Sequence, residues 1–121
     1  VFNIQGPLNI KHFSVPEPDV LLLKSNANFY ADALPTPSEV LLLIEVSDST
    51  LDFDKKTKLP LYANAGIQEY WIINLQDNLV ESYRQPGENV FKSISIAQKD
   101  DPVTCLCLPD LVRRARDILG E

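Results

Sequence analysis

The run "VLLLIEV", residues 40–46, restricts the architectures open to this chain more than any other stretch. Side chains alternate between the two faces of a strand, so apolar residues at nearly every position mean that both faces are covered. The run therefore predicts a central strand with further layers on both sides of its sheet. "QEYWIINLQ", over 68–76, reads in the same way, and "DVLLL", from Asp19 through Leu23, reads as a further apolar strand. Glu45 interrupts the first of these patterns. Ionised glutamates are seldom buried without a partner, so this carboxylate needs an explanation that its neighbours do not.

The rest of the chain supplies the covering layers. Residues 47–67, "SDSTLDFDKKTKLPLYANAGI", read as a helix with Ser49 or Thr50 as cap and Gly66 as stop. Asp52 and Asp54 suit its positive end. Leu51, Lys55, Lys58 and Tyr62 recur at helical spacing, and Pro60 is expected to kink or restart the helix. "LVESYRQ" and "VFKSISIAQ" alternate as the arms of an antiparallel hairpin, with turns at "DN" before it and "PGEN" within it. "DLVRRARDILGE" closes the chain as a helix, with Leu111, Ala115, Ile118 and Leu119 on one stripe. "NFYAD" is expected to form a short turn within a Pro-, Asn- and Ser-rich loop. The expected class is α/β, bordering on α+β: a mixed central sheet flanked by helices.

A chain of 121 residues suits one domain with a core of its own. No segment has the apolar length of a membrane span. The formal net charge of −6 argues against broad electrostatic attraction to nucleic acid, although Lys11, Lys24, Lys55, Lys56 and Lys58 can form a local basic rim. Cys105 and Cys107 are expected on one face of a strand, as small core side chains in a reducing, cytoplasmic compartment. One histidine, His12, excludes a His-rich zinc site and reads as a surface or loop residue. Trp71 reads as core.

Asp19 opens one apolar strand and Glu45 lies near the end of the next. If the two strands are neighbours, both carboxylates reach one edge of the sheet. Two carboxylates with a backbone carbonyl make a hard-oxygen site for Mg²⁺. Such an ion activates water and offsets charge on a phosphoryl group. A lysine is the expected third partner. The position two residues after Glu45 is Ser47, so the lysine has to come from elsewhere. Lys58 stands four residues from both Asp54 and Tyr62, which puts the three on one helix face.

The pieces "PEPDVLLL", "VLLLIEVSDSTLDFDKKTKLPLYANAGIQEYWIINL" and "VESYRQP" together resemble the Uma-two family of restriction-endonuclease type, once catalogued as a domain of unknown function, in the PD-(D/E)xK nuclease-like superfamily. The resemblance runs from about residue 5 to residue 86. It implies a restriction-endonuclease-like core acting on DNA with Mg²⁺ or Mn²⁺. It implies that Asp19 and Glu45 are the acidic metal ligands, that the Val46 carbonyl joins them, and that Lys58 replaces the motif lysine absent at Ser47. Asp54 and Tyr62 are the supporting residues. It also implies an N-terminal helical segment with a further glutamate, which the single domain over 1–121 is expected to lack.

Plainer readings stand beside these. Asp19 could cap a turn after Pro18, and Glu45 could form a structural ion pair with Lys58. Tyr62 could be core or site. The whole chain could be an inactive nuclease scaffold serving as an interaction or nucleic-acid-binding module, as a homodimer. A hydrolase acting on a small phosphorylated substrate ranks last, because the four glycines are scattered and form no phosphate loop.

Overall fold

The computed structural model describes residues 2–4, 19–24, 35–49 and 51–121, with the backbone alone for 2–4 and for Asp54. A six-stranded sheet runs in the order β1 (Phe2–Ile4), β2 (Val20–Leu23), β3 (Val40–Ser47), β4 (Glu69–Asn74), β5 (Leu79–Pro86), β6 (Phe91–Ala97). β3 and β4 are parallel and every other pair is antiparallel, so the sheet is mixed. The parallel pair requires a crossover, and the helical segment between residues 51 and 65 provides it.

The apolar runs occupy the middle of the sheet as their patterning requires. All six residues of β4 are buried. On one face, Leu21, Leu23, Leu43, Tyr70, Ile72 and Tyr83 pack with Leu51, Tyr62 and Ala63 of the crossover. On the other, Leu42, Trp71, Ile73, Val80 and Ala97 pack with Val103, Cys105 and Ala115. Trp71 is core, as expected.

The crossover is not one regular helix. It consists of α1 (Leu51–Phe53), a π-helical stretch (Asp54–Lys58) and α2 (Leu59–Ala65). Pro60 accounts for the widening. It has no N–H to donate to the carbonyl four residues back, and its ring needs room there. The extra residue in the turn before it relieves both problems, so the expected kink appears as a π-bulge. Gly66 ends the segment in the left-handed region, φ 81°, and its N–H donates to the Ala63 carbonyl.

The C-terminal segment departs from the sequence reading. Residues 108–114 are not helical: they form β8 (Leu108–Arg114), paired antiparallel with β7 (Pro102–Cys105) in a separate two-stranded sheet. Only α3 (Ala115–Leu119) is helical. Pro109 and the β-branched Val112 weaken a helix there, and pairing with β7 uses the backbone groups instead. Ala115, Ile118 and Leu119 keep their place against the core, while Leu111 is left exposed. The α3 entry is held by Ala115 and Arg116 N–H groups donating to the Asp101 and Lys99 carbonyls.

The cysteines are core side chains as expected, but they do not share one strand. Cys105 ends β7 and is buried, and Cys107 lies in the following turn, half-buried. Their sulfurs are 3.7 Å apart as free thiols. No helix among the described residues is long and apolar enough to cross a membrane. His12, Lys11 and "NFYAD" lie outside the described residues.

Candidate active site on the sheet face beneath the helix

β2 and β3 pair antiparallel with Val20 opposite Ile44. One step further along this register, Asp19 comes opposite Glu45, and residues directly opposite in an antiparallel pair share a face. The two strands are therefore neighbours, and the two carboxylates lie at the same end of them. Asp19 is exposed, and its Oδ2 accepts a hydrogen bond from the Val46 N–H at 2.7 Å. This contact is neither the turn cap nor a metal bond considered from the sequence. It fixes the Asp19 carboxylate against the β3 backbone beside Glu45.

Glu45 is 3% exposed, and three groups hold it. The Tyr62 hydroxyl donates to Oε1 at 2.8 Å. The Tyr70 hydroxyl donates to Oε2 at 2.9 Å. The Lys58 ammonium lies 3.2 Å from Oε2, with its side chain 27% exposed. Burial pushes the Glu45 carboxyl above its ordinary value. The Lys58 charge and the hydrogen bonds from Tyr62, Tyr70 and Lys58 pull it back without cancelling the rise.

The local fold explains each partner. Tyr70 sits on β4 opposite Leu43, two residues before Glu45 on the same face. Tyr62 comes from α2, and its ring meets that of Tyr70 edge-on at 4.9 Å between centroids. Lys58 is the last residue of the π-helical stretch. Sequence reading placed Lys58 and Tyr62 on one helix face, and both reach the same carboxylate. The side chain of Asp54 lies outside the described residues.

Two carboxylates that the sequence reading did not single out are equally buried. Glu81 is 2% exposed. It accepts from the Tyr83 hydroxyl and from Asn74 Nδ2, the latter at 2.8 Å, and lies 3.1 Å from the Lys55 ammonium. The alternation of "LVESYRQ" put Glu81 and Tyr83 on one face but gave no sign that the crossover covers that face. Glu69 is 0% exposed and accepts from Trp71 Nε1, Arg84 Nε and the Leu106 N–H, at 3.0, 2.8 and 2.8 Å. Arg84 also donates to the Thr104 carbonyl. The Glu69 network ties the β7–β8 hairpin to the far face of the sheet. Its legible signal was a Glu and a Trp two residues apart in one strand.

Of the basic rim, Lys55 and Lys58 each meet a buried carboxylate, and Lys24 and Lys56 are solvent-exposed. Among the described residues, no three His, Cys, Asp or Glu side chains gather around one point. The donor set that remains for a divalent cation is two carboxylates on one strand end. An ionised carboxylate offers about four lone-pair sites. Tyr62 donates to Oε1 of Glu45, and Oε2 takes Tyr70 and Lys58. Two carboxylates are donor chemistry of the kind Mg²⁺ takes, since it binds through one or two of them and keeps several waters.

Comparison with solved structures gives a fold match to a crystal structure described as a putative nuclease belonging to DUF820, from Anabaena variabilis ATCC 29413. The TM-score is 0.63 at 17% identity, covering 88% of this chain and 60% of that one. This chain thus spans about 60% of the length of that protein. The likeness shows the mixed α/β fold of a nuclease-like neighbour. Comparison with curated proteins gave no match. A family model described as "Putative restriction endonuclease" matches residues 1–116. With nearly its whole length inside that match, the chain belongs to the Uma2 family.

Proposed function

We propose that the chain is a Mg²⁺-dependent endonuclease that hydrolyses DNA phosphodiester bonds at the Asp19–Glu45 strand end. The observation that carries this reading is the buried Glu45, tied to Lys58 on one oxygen and set across β2–β3 from Asp19. Family membership supports it, and the acidic composition is compatible with it because the lysines are concentrated in one helical turn.

Asp19, Glu45 Oε1 and the Val46 carbonyl would hold Mg²⁺ or Mn²⁺. The ion would supply Lewis-acid chemistry, lowering the pKa of a bound water and offsetting phosphoryl charge. The chain's own residues supply the rest. Tyr62 and Tyr70 fix the Glu45 carboxylate, so its geometry is set before substrate arrives. Lys58, only partly exposed and already oriented by Glu45, donates to the attacking water or to a nonbridging phosphate oxygen. The Val46 N–H holds Asp19 in place on the exposed side.

The test is cleavage of supercoiled plasmid by the wild type and by Lys58→Ala, in Mg²⁺ and in EDTA. Metal-dependent nicking, reduced by roughly 100-fold or more in Lys58→Ala, is the expected result for loss of an electrostatic catalytic group. Nicking that persists in EDTA, or that Lys58→Ala leaves unchanged, contradicts the proposal. An inactive scaffold is the second reading. It is favoured by Glu45 already having protein partners at both oxygens. It predicts no metal-dependent nicking in any form of the protein.

A further inference from the structure

A groove of about 200 Å³ lies between α2 and the turn into β6, outside the Asp19–Glu45 site. Leu59, Pro60, Val90 and Ile94 give it apolar walls, and Tyr83 contributes to its lining. Val90 and Ile94 are 55% and 57% exposed, large fractions for apolar residues. Lys55 stands at the border of the groove. Its ammonium is 3.1 Å from Glu81, and its side chain is 39% exposed. An ammonium carries three donors, so contact with Glu81 leaves others for a ligand.

The register links this groove to the candidate active site. Glu45 pairs with Ile72, and Ile72 pairs with Glu81, so the two carboxylates lie in one row with one strand between them. At a spacing of about 4.8 Å per strand, the row puts them about 10 Å apart. Lys58 meets one and Lys55 the other. Along one nucleic-acid strand, phosphates are spaced by at least the roughly 3.4 Å of axial rise, so the two lysines span no more than about three nucleotides.

We infer that Lys55 and this groove form a nucleotide subsite: the groove takes an unstacked base, and Lys55 takes a phosphate of the strand whose scissile phosphate lies at Lys58. The inference rests on the endonuclease reading and extends it to substrate binding. Two features select the occupant. The cavity has room for one planar base and not for a helix or a folded partner. A cation at the border of apolar walls complements the two parts of a nucleotide, an anionic phosphate and an apolar ring face. Base contacts of this kind tolerate any sequence, because every base has a ring face.

The test is binding of a fluorescent single-stranded oligodeoxynucleotide in EDTA between 50 and 200 mM salt (roughly the range over which phosphate contacts show). Wild type, Lys55→Gln, Lys55→Arg and, as a distant control, Lys99→Gln are compared. Lys55→Gln is expected to weaken binding for all sequences and to lower the slope of log K against log salt by about 0.7. Lys55→Arg keeps the slope, and Lys99→Gln matches the wild type. An abasic oligonucleotide is expected to bind the wild type about tenfold more weakly, with the slope preserved. A wild-type slope and affinity in Lys55→Gln, or full affinity for the abasic strand, overturns the subsite alone. No binding by the wild type also overturns the subsite, while the endonuclease reading stands or falls separately on metal-dependent plasmid nicking.

Discussion

Glu45 and Glu81 lie in one row of the sheet on either side of Ile72, and each is met by a lysine from the same π-helical stretch. Each carboxylate also accepts from at least one tyrosine hydroxyl. A sheet face that buries two charges a few ångströms beneath a helix is costly unless every oxygen is met. The π-bulge before Pro60 is the feature of the backbone that brings both lysines to their partners. In the proposed function, the Glu45 half of this arrangement is the metal-dependent active site.

The tyrosines at Glu45 are expected to matter for stability as well as for geometry. Tyr62→Phe removes the hydroxyl that donates to Oε1 and keeps the ring contact with Tyr70. A hydrogen bond to a charged group contributes about 1.5–3 kcal/mol, so a loss in that range is expected in urea unfolding. An unchanged unfolding midpoint would show that Glu45 does not depend on Tyr62.

On the opposite face, Glu69 is expected to be the more severe position. Glu69→Ala strands Trp71 Nε1, Arg84 Nε and the Leu106 N–H together. Breaking a buried pair in this way costs about 3–5 kcal/mol. Hydrogen exchange at the Leu106 amide is expected to quicken first, because that bond holds the β7–β8 turn to the sheet. Retained protection at Leu106 would contradict the clamp.

The thiol of Cys107 is pushed up to about 11 from an ordinary value of 9.0, first by burial and then by the neighbouring Cys105 sulfur, with Glu69 adding its charge. A raised thiol value favours the neutral form in the folded state, and the thiolate is the reactive form. Alkylation of Cys107 by iodoacetamide is therefore expected to keep accelerating between pH 9 and 10, about tenfold per unit. A plateau within that window would show an ordinary thiol.

The middle of the fold was legible because burial on both faces leaves a direct trace. The runs at 19–23, 40–46 and 68–76 became β2, β3 and β4, and the alternating pair became β5 and β6. Convergence of Asp19 and Glu45 followed once β2 and β3 were neighbours. The periphery was harder to read. "DLVRRARD" carries a helical stripe, yet pairing with β7 claims residues 108–114, and only its last apolar positions remain helical. β1 has three residues and no pattern to reveal it. Glu69 and Glu81 look like ordinary strand carboxylates: Trp71, Tyr83 and Asn74 are near them in the chain, but Arg84 and Leu106 for Glu69, and Lys55 for Glu81, lie 15 or more residues away. The Lys58–Tyr62 spacing was visible, but its result, two groups on one buried carboxylate, depended on how the helix widens before Pro60.

A metal at the Asp19–Glu45 strand end is tested by titration calorimetry of Mg²⁺ and Mn²⁺ into the wild type and Glu45→Ala, with circular dichroism confirming that the variant is folded. The expected result is binding by the wild type that the variant loses, because the proposed site needs the Glu45 and Asp19 carboxylates together. Equal binding by a folded Glu45→Ala, or no binding by the wild type, would contradict it and leave Glu45 and Lys58 as a structural ion pair.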